Sequence, residues 1–516
     1  MASKMLMGDM PELMENILKQ LNNEIYSLYS CALVNRHWCK MSIPILWQDP
    51  FSVKRSSLFI PIYFSSLDEG EKLVIMECLK EFGIKMEFSK PLFDYARFLK
   101  ILDIYQLGIK VYEWMYLKLN RLNFNDFDSR ATSLITLPIK LFIESGAILH
   151  EFGLCNSEFL KFELEIFHSL EQNVQFYSRL QHLSLFIISN FFIENIAKLL
   201  RVLAKNTTKI IALRLVFHSE CESKSIYTLF PALIHFIKSQ EQLRKFILDG
   251  DECHAEFYGI ISALESQKDT LQEVILDGCD FSAEFEILNN CKNLETLRIL
   301  NCDTELLKIL DYNISTLEIS YYQIDVPIIV QILEKIGILL QRLKIETEIV
   351  IWKEPLLLEA LKSFCPNIIY LYIKDIRLST QLLELIGSLE KLQFLSLGYA
   401  YHTPEEEREI RVMQFAKILP TSLQYLDIAL GIPDTLLDSF IDILLDHCNT
   451  PLKKLLISGG SLNSEKNTKA LIRYRTRIRT LNYVGIVYYY CVGYNIRNEL
   501  EKYVTLIPYE HIVVNC

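Results

Sequence analysis

LQEVILDGC, residues 271–279, and LETLRILNC, residues 294–302, present one pattern twice: apolar residues at the first, fourth and sixth places and cysteine at the ninth. The fourth and sixth places share a parity, so Val274 and Leu276 point to one face of a short β-strand. Leu297 and Ile299 do the same in the second copy. The pattern therefore predicts a repeat unit with one buried strand face.

The pattern recurs along most of the chain, with an average period of about 28 residues that is typical of leucine-rich repeats. We expect an α/β fold: a curved solenoid with a parallel sheet on its concave side and helical crossovers on its convex side. The two shortest intervals, which begin at Leu271 and Leu294, leave room for no more than a short helix or turn. The predicted repeat starts are Leu119, Leu149, Leu180, Ile210, Leu243, Leu271, Leu294, Ile314, Leu340, Ile368, Leu392, Leu423, Leu452 and Ile478.

The charge balance and the cysteines of the chain limit the kinds of partner and site that we expect. The 516 residues carry 53 Lys plus Arg against 64 Asp plus Glu, a net charge of −11. This balance argues against nucleic-acid or anionic-membrane partners, which need a basic surface. Thirteen scattered cysteines suggest neither disulfides nor a metal site. With no secretory leader or membrane span in the pattern, we expect a cytoplasmic or nuclear protein.

No catalytic motif stands out: GxGxxG, P-loop, HExxH and GxSxG patterns are missing from the sequence. We therefore expect a protein that is not an enzyme and that uses no cofactor. We therefore predict no catalytic residue and no metal ligand in the sequence.

The segment Met10–Trp47 predicts three short helices before the repeats. Pro11 suits a first helical turn, and Leu13, Ile17 and Leu21 follow at helical spacing. A second apolar set recurs after Asn23, and the third segment carries two tryptophans. That second set and the tryptophans are Ile25, Leu28, Cys31, Val34, Trp38 and Trp47.

MPELMENILKQL, then LVNRHW, then LW resembles an F-box, a motif with a Leu-Pro start, spaced Leu and Ile, Val-x-Arg-x-Trp and a closing Leu-Trp. Met10 stands where leucine is commoner, and the Asn22–Ile25 turn lacks a common acidic-Leu pair. The resemblance implies docking on a Skp-type adaptor and, through it, on a cullin scaffold. The alternative is that these helices only cap the open end of the solenoid. The implied adaptor-binding residues are Pro11, Leu13, Ile17, Leu18, Leu21, Leu28, Cys31, Val34 and Trp38.

We divide the chain into an F-box-like domain at 1–48, a helical connecting region at 49–116 and the repeats at 117–516. In the connecting region, one helix is predicted after Asp68 and another from Pro91. No flexible linker separates the parts, so we expect the connecting region to hold the F-box-like domain rigidly against the repeats.

The residues that alternate with the buried ones in each strand form the concave face, where solenoids bind their partners. Mixed charges occupy the middle of this face, followed by an aromatic set over three successive repeats: Tyr370, Tyr372, Phe394 and Tyr425. Exposed aromatic residues are enriched at interfaces, so this set is a candidate client-binding site. Alternatively, these residues are good strand formers that pack on one another.

Together these features resemble an F-box protein with leucine-rich repeats. The resemblance implies the substrate-recognition subunit of an SCF-type ubiquitin ligase, which holds an unidentified client protein near the conjugating enzyme. A stand-alone repeat scaffold or inhibitor is the other interpretation. The two differ in whether residues 10–47 bind the adaptor.

Overall fold

The computed structural model describes residues 11–21, 24–53, 55–119, 132–156, 164–188, 192–218, 223–250, 257, 259–280, 282–309, 313–399, 405–428, 434–458, 461–487 and 492–512. The chain divides into two compact units, Met1–Thr270 and Leu271–Cys516. Each unit contains its own series of parallel strands.

Three helices open the first unit, as the sequence predicts: α1 Pro11–Gln20, α2 Ile25–Ala32 and α3 Arg36–Leu46. The side chain of Asn35 caps α3 by accepting hydrogen bonds from the backbone N–H groups of His37 and Trp38, at 2.9 and 3.0 Å. A small core joins the three helices, and its fully enclosed members are Met14, Leu18, Leu28, Ile45 and Leu46.

The segment between these helices and the repeats holds α4 Ile60–Ser66 and α5 Glu69–Glu81. The helix expected after Asp68 is confirmed: Asp68 and Glu71 form a capping box at its start. The helix expected from Pro91 is wrong. A single 3₁₀ turn, Ala96–Phe98, leads instead into strand β1, Ile101–Asp103, because short apolar runs fit both periods and strand pairing decides between them.

Five strands of the first unit pair in parallel with their sequence neighbours: β1, β2 Glu151–Asn156, β3 His182–Ile187, β4 Ala212–Phe217 and β5 Lys245–Asp249. Alternate side chains such as Leu183 and Leu185 are buried under the helices, as the parity of the pattern predicts. The accompanying helices are α6 Ile104–Leu119, α7 Thr132–Glu144, α8 Leu164–Gln172, α9 Ile193–Asn206, α10 Ser223–Lys238 and the single turn α11 Ile260–Ala263.

The second unit continues the same architecture. Its strands also pair in parallel and in order: β6 Glu273–Asp277, β7 Thr296–Leu300, β8 Thr316–Tyr321, β9 Arg342–Thr347, β10 Tyr370–Ile376, β11 Phe394–Tyr399, β12 Tyr425–Asp427, β13 Lys454–Ser458, β14 Tyr483–Val487 and β15 Thr505–Pro508. Its helices are α12 Val326–Ile336, α13 Glu354–Phe364, α14 Thr380–Ser388, α15 Glu405–Ile418, α16 Asp434–His447, α17 Glu465–Ile478 and α18 Tyr494–Leu500. The predicted α/β leucine-rich-repeat solenoid is confirmed in both units.

Two of the predicted repeat starts are placed wrongly. Leu119 ends helix α6, and β1 pairs directly with β2, so this match adds no strand between them. Ile478 ends helix α17, and the following strand begins at Tyr483 after Leu481. A helix that ends on an apolar residue imitates the first place of the motif, which explains both errors.

The short crossovers predicted after Leu271 and Leu294 are confirmed, because 3₁₀ turns replace helices there at Ala283–Asn290 and Thr304–Ile309. The ninth-place cysteines are both buried, and the backbone N–H of Cys279 donates to Sγ of Cys302 at 3.1 Å. Gly278 and Asn301 precede them with φ of 61° and 49°. Glycine and asparagine tolerate this left-handed conformation, which turns the chain out of the strand.

Candidate functional site

The nine predicted adaptor-binding residues separate into an enclosed group and an accessible group. Leu18 and Leu28 are fully buried in the helical core, where Leu21, Cys31 and Trp38 pack partly buried against it. The side chain of Pro11, the first residue of α1, lies outside the described residues. The accessible members are Leu13, Ile17 and Val34, exposed by 45, 41 and 58%.

Further apolar side chains that the sequence pattern did not single out are exposed on α2 and in the turn that follows it. Leu33, next to Val34, is 86% exposed, and Tyr26 and Tyr29 of α2 are also exposed. We call Leu13, Ile17, Leu33 and Val34 the exposed apolar set. Because the helices already enclose their own core, this set is not needed to complete it.

The residues that follow α3 contact the start of β1, the first strand of the sheet. The carbonyl oxygen of Gln48 accepts hydrogen bonds from the backbone N–H groups of Lys100 and Ile101, at 2.9 and 3.0 Å. Trp47 packs beside Tyr95 with ring centroids 4.2 Å apart. Residues 47 and 48 thus contact the chain just before and at the start of β1, whereas the side chains of the exposed apolar set remain accessible.

In the second unit, a row of charged side chains crosses the sheet face that lies away from the helices, which we call the open face. Arg298 donates to Glu273 at 3.2 Å and to Glu318 at 2.6 Å. Lys344 then pairs with Glu318 at 2.8 Å and with Glu346 at 3.2 Å. Lys374 completes this charge ladder by pairing with Glu346 at 3.2 Å.

The charge ladder holds three carboxylates and three cations, so its charges balance. Burial would lower the pKa of Lys344, but its hydrogen bond and charge interaction with Glu318, helped by Glu346, raise it above the ordinary lysine value. Burial likewise opposes ionisation of Glu346, yet Lys344 and Lys374 lower the pKa of that carboxyl. Both groups therefore stay ionised at neutral pH.

The predicted aromatic set follows directly on the next strands. Tyr370, Phe394 and Tyr425 occupy one register row of β10, β11 and β12, with ring centroids 6.4 and 6.1 Å apart. The Arg342 guanidinium lies over the Tyr370 ring at 4.7 Å, and the Lys344 ammonium lies over the Tyr372 ring at 5.1 Å. The aromatic set thus adjoins the charge ladder.

The expectation that all four aromatic side chains are exposed is wrong for two of them. Tyr370 and Tyr425 are only 3 and 1% exposed, whereas Tyr372 and Phe394 are half-buried. Cross-strand packing covers Tyr370, and a buried cluster covers Tyr425. Burial, followed by the nearby carboxylate of Glu346, raises the pKa of Tyr372 far above its ordinary value.

The residue that covers Tyr425 comes from the C-terminal end of the described chain. After β15, a 3₁₀ turn at Tyr509–His511 brings Ile512 back onto the open face, where it packs with Tyr425 and Leu456. Gly485 of β14 makes this possible, because a Cβ there would overlap Cγ2 of Ile512. The sequence pattern gave no signal for this contact, which joins a turn to three separate strands.

The described residues place no three His, Cys, Asp or Glu side chains where these could hold a metal ion. Burial raises the pKa of the Cys365 thiol to about 12, and burial also raises that of Cys448. Neither cysteine is a thiolate at neutral pH, the form that reacts as a nucleophile. No helix in the described part of the chain is long and apolar enough to cross a bilayer.

Comparison with known proteins gives only distant similarities. No protein-family model and no curated protein matches the chain. It is similar to a chain from the crystal structure of the Rad7 and Elc1 complex in yeast, with 13% identity and a TM-score of 0.39 over 78% of this chain and 92% of that one. It is also similar to the leucine-rich repeat-containing protein LegL7 from Legionella pneumophila, with 11% identity and a TM-score of 0.28 over 70% of this chain and 93% of that one. Similarity at this level says nothing about what the chain binds.

Proposed function

We propose that the chain is the substrate-recognition subunit of an SCF-type ubiquitin ligase. Its N-terminal helices bind a Skp-type adaptor, and its repeats bind a client protein. The chain contributes no reacting group and acts by holding the client near a charged conjugating enzyme, which raises the effective concentration of the two.

The observation that carries this proposal is the exposed apolar set, which lies on α1 and in the turn between α2 and α3, outside a helical core that is already complete. Apolar side chains at i and i+4 on one helix, such as Leu13 and Ile17, are the contacts by which helices insert into an apolar groove. Each apolar side chain that becomes fully buried contributes about 1.5–3 kcal/mol to association. Leu18 and Leu28 position these contacts from the core below.

On the client side, the open face of the second unit offers two half-buried aromatic residues, Tyr372 and Phe394, between the charge ladder and the cluster around Ile512. Aromatic anchors of this kind contribute much of the energy of protein interfaces. The ladder flanks them with paired charges, which resemble the polar rim of an interface. This arrangement fits a protein client better than a small molecule.

The adaptor half of the proposal is tested by co-purification of the full-length chain with a Skp-type adaptor. Leu13→Glu combined with Ile17→Glu should abolish binding, because two carboxylates would have to be buried in the groove. Leu73→Glu combined with Met76→Glu is the matched control, since these side chains of α5 are also exposed, by 56 and 39%. Adaptor binding that survives the first double variant, or a folded wild type that fails to bind, would overturn the adaptor role.

The client half is tested with Tyr372→Ser and Phe394→Ser together, in a cell in which partners are captured by proximity labelling. We expect client capture to be lost while adaptor binding and thermal unfolding stay close to wild type. Unchanged capture would show that the aromatic set only packs between strands.

A further inference from the structure

The first unit contains a cavity with a volume of about 460 Å³ where helices α1 and α3 meet the first strands. Its walls come from parts of the chain far apart in sequence, and its floor is apolar. Ile45 and Leu99 are buried there. The charged and titratable groups around it are Glu15, Lys40, Arg97, Lys100, His150 and Arg179.

Positive charge dominates this cavity, although the chain as a whole carries −11. Within the described residues, Lys40, Arg97, Lys100 and Arg179 form no ion pair with a carboxylate. The single carboxylate in the lining, Glu15, is already paired with Lys19 at 2.7 Å. Four cations and His150 thus face one cavity that holds a single carboxylate, and Glu15 balances only part of their charge.

Backbone hydrogen bonds hold the cavity wall in place. The backbone N–H of Lys100 donates to Gln48 at 2.9 Å, and the carbonyl oxygen of Lys100 accepts from the backbone N–H of His150 at 2.8 Å. Lys100 and His150 therefore precede neighbouring strands at equivalent places. These bonds fix Lys100 and His150 at the starts of two paired strands, whereas Lys40 lies on helix α3 and Arg97 in the 3₁₀ turn before β1.

Burial and neighbouring positive charges both disfavour the charged forms of Lys100 and His150. Burial, and then Lys19 and Arg179, lower the pKa of Lys100, while the charge of Glu15 partly opposes them. Burial, and then Lys100, Arg179 and His182, lower the pKa of His150. An anion in the cavity would offset the repulsion between these positive charges, which favours anion binding there.

We propose that this cavity is a binding site for a compact soluble polyanion that carries at least two phosphate groups. Four cations exceed what one phosphate requires, and arginine and lysine are the side chains that pair with phosphate oxygens. The volume lies in the range of about 300–1,000 Å³ that small-molecule sites occupy. A bound polyanion would join α3 to the first two strands and so stiffen the junction between the helices and the repeats.

Isothermal titration of the full-length chain with tripolyphosphate tests this site. The expected result is one molecule bound per chain, with an affinity that falls by at least tenfold between low salt and 0.5 M salt because the Debye length shrinks from about 10 Å toward 3 Å. Inorganic phosphate should bind much more weakly. Failure of the wild type to bind tripolyphosphate would overturn the proposal.

The matched variants separate this site from general attraction to basic residues. Arg97→Gln, Lys100→Gln and Arg179→Gln together should weaken binding by at least about a hundredfold, since each charged contact contributes roughly tenfold. The control combines Lys198→Gln, Arg201→Gln and Lys205→Gln, three exposed cations of α9 that change the net charge equally. Equal losses in both triple variants would overturn the site.

Two single variants keep the site testable if the triple variant of the cavity fails to fold. Arg97 and Arg179 are exposed, so Arg97→Gln and Arg179→Gln should fold normally and each weaken binding about tenfold. Hydrogen exchange should slow in residues 40–48 and 97–100 when tripolyphosphate is added. Slowing elsewhere, or undiminished affinity in both single variants, would contradict the assignment.

Discussion

Replacing Gly485 by alanine tests whether the C-terminal turn lies on the open face. The added methyl group would overlap Cγ2 of Ile512 and would stand 2.7 Å from Cδ1 of Leu456. The end of the leucine side chain can rotate away, but Ile512 is 2% exposed and has no space to retreat into the sheet. Either the site is overpacked, at a cost of about 1–3 kcal/mol, or the turn detaches and loses the burial of one isoleucine, at about 1.5–3 kcal/mol.

The expected cost is thus about 2 kcal/mol in the free energy of local opening, measured by hydrogen exchange in β14 and β15. Ile512→Ala removes the overlapping methyl group, so in that background Gly485→Ala should cost less than about 0.5 kcal/mol. Gly493→Ala is the control, because a Cβ there meets nothing closer than 3.7 Å. If Gly485→Ala costs the same with and without Ile512, the two residues do not touch and the reasoning fails.

Three other predictions concern the cap, the charge ladder and the cavity. Asn35→Ala should destabilise α3 by about 1 kcal/mol, measured by urea unfolding of the N-terminal helices, because two backbone N–H groups lose their acceptor. Glu318→Ala should lower the free energy of local opening of β7–β9, measured by hydrogen exchange, by about 2 kcal/mol. Glu305→Ala breaks only an exposed pair with Lys308 and should lower it by less than about 0.5 kcal/mol. Equal losses in the two variants would contradict the role of the charge ladder. The pKa of His150 is lower in the folded chain than in the unfolded one, so the unfolded chain binds the proton more readily. The free energy of unfolding should therefore fall as the pH drops through the ordinary histidine pKa. His150→Gln should lessen that fall, measured by thermal unfolding between pH 8 and 5.

The spacing of apolar residues predicts which side chains of a strand are buried, because parity is a local property of the backbone. It places Tyr370 and Tyr425 correctly on the face away from the helices. It does not reveal that Arg342 and Ile512 cover that face, because each contact joins residues that are distant in sequence. The same limit explains why the helix predicted from Pro91 is wrong, because strand β1, which follows instead, is three residues long and exists through its pairing with β2.

The N-terminal helices illustrate a second limit of sequence patterns. An apolar residue at helical spacing can serve the core of its own domain or the surface of a partner, and both uses follow the same period. In α1, Met14 and Leu18 serve the core, whereas Leu13 and Ile17 remain exposed one position earlier. The cavity shows that charged clusters escape sequence patterns too, because Lys40, Lys100 and Arg179 are distant in sequence and come together only in the folded chain.

If the open face of the second unit binds a client, as proposed, its side chains restrict what that client can look like. The charge ladder neutralises itself, so a charged client would have to break existing ion pairs before it gained new ones. At the other end, Ile512 already occupies the apolar contact around Tyr425 and Leu456. An aliphatic side chain is therefore the group that this position accommodates.

A client that inserted such a side chain would have to displace the C-terminal turn, and the free energy that holds Ile512 in place would be subtracted from its affinity. Ile512→Ala should then strengthen client binding if the client uses this position, and should leave it unchanged if the client stops at Tyr372 and Phe394.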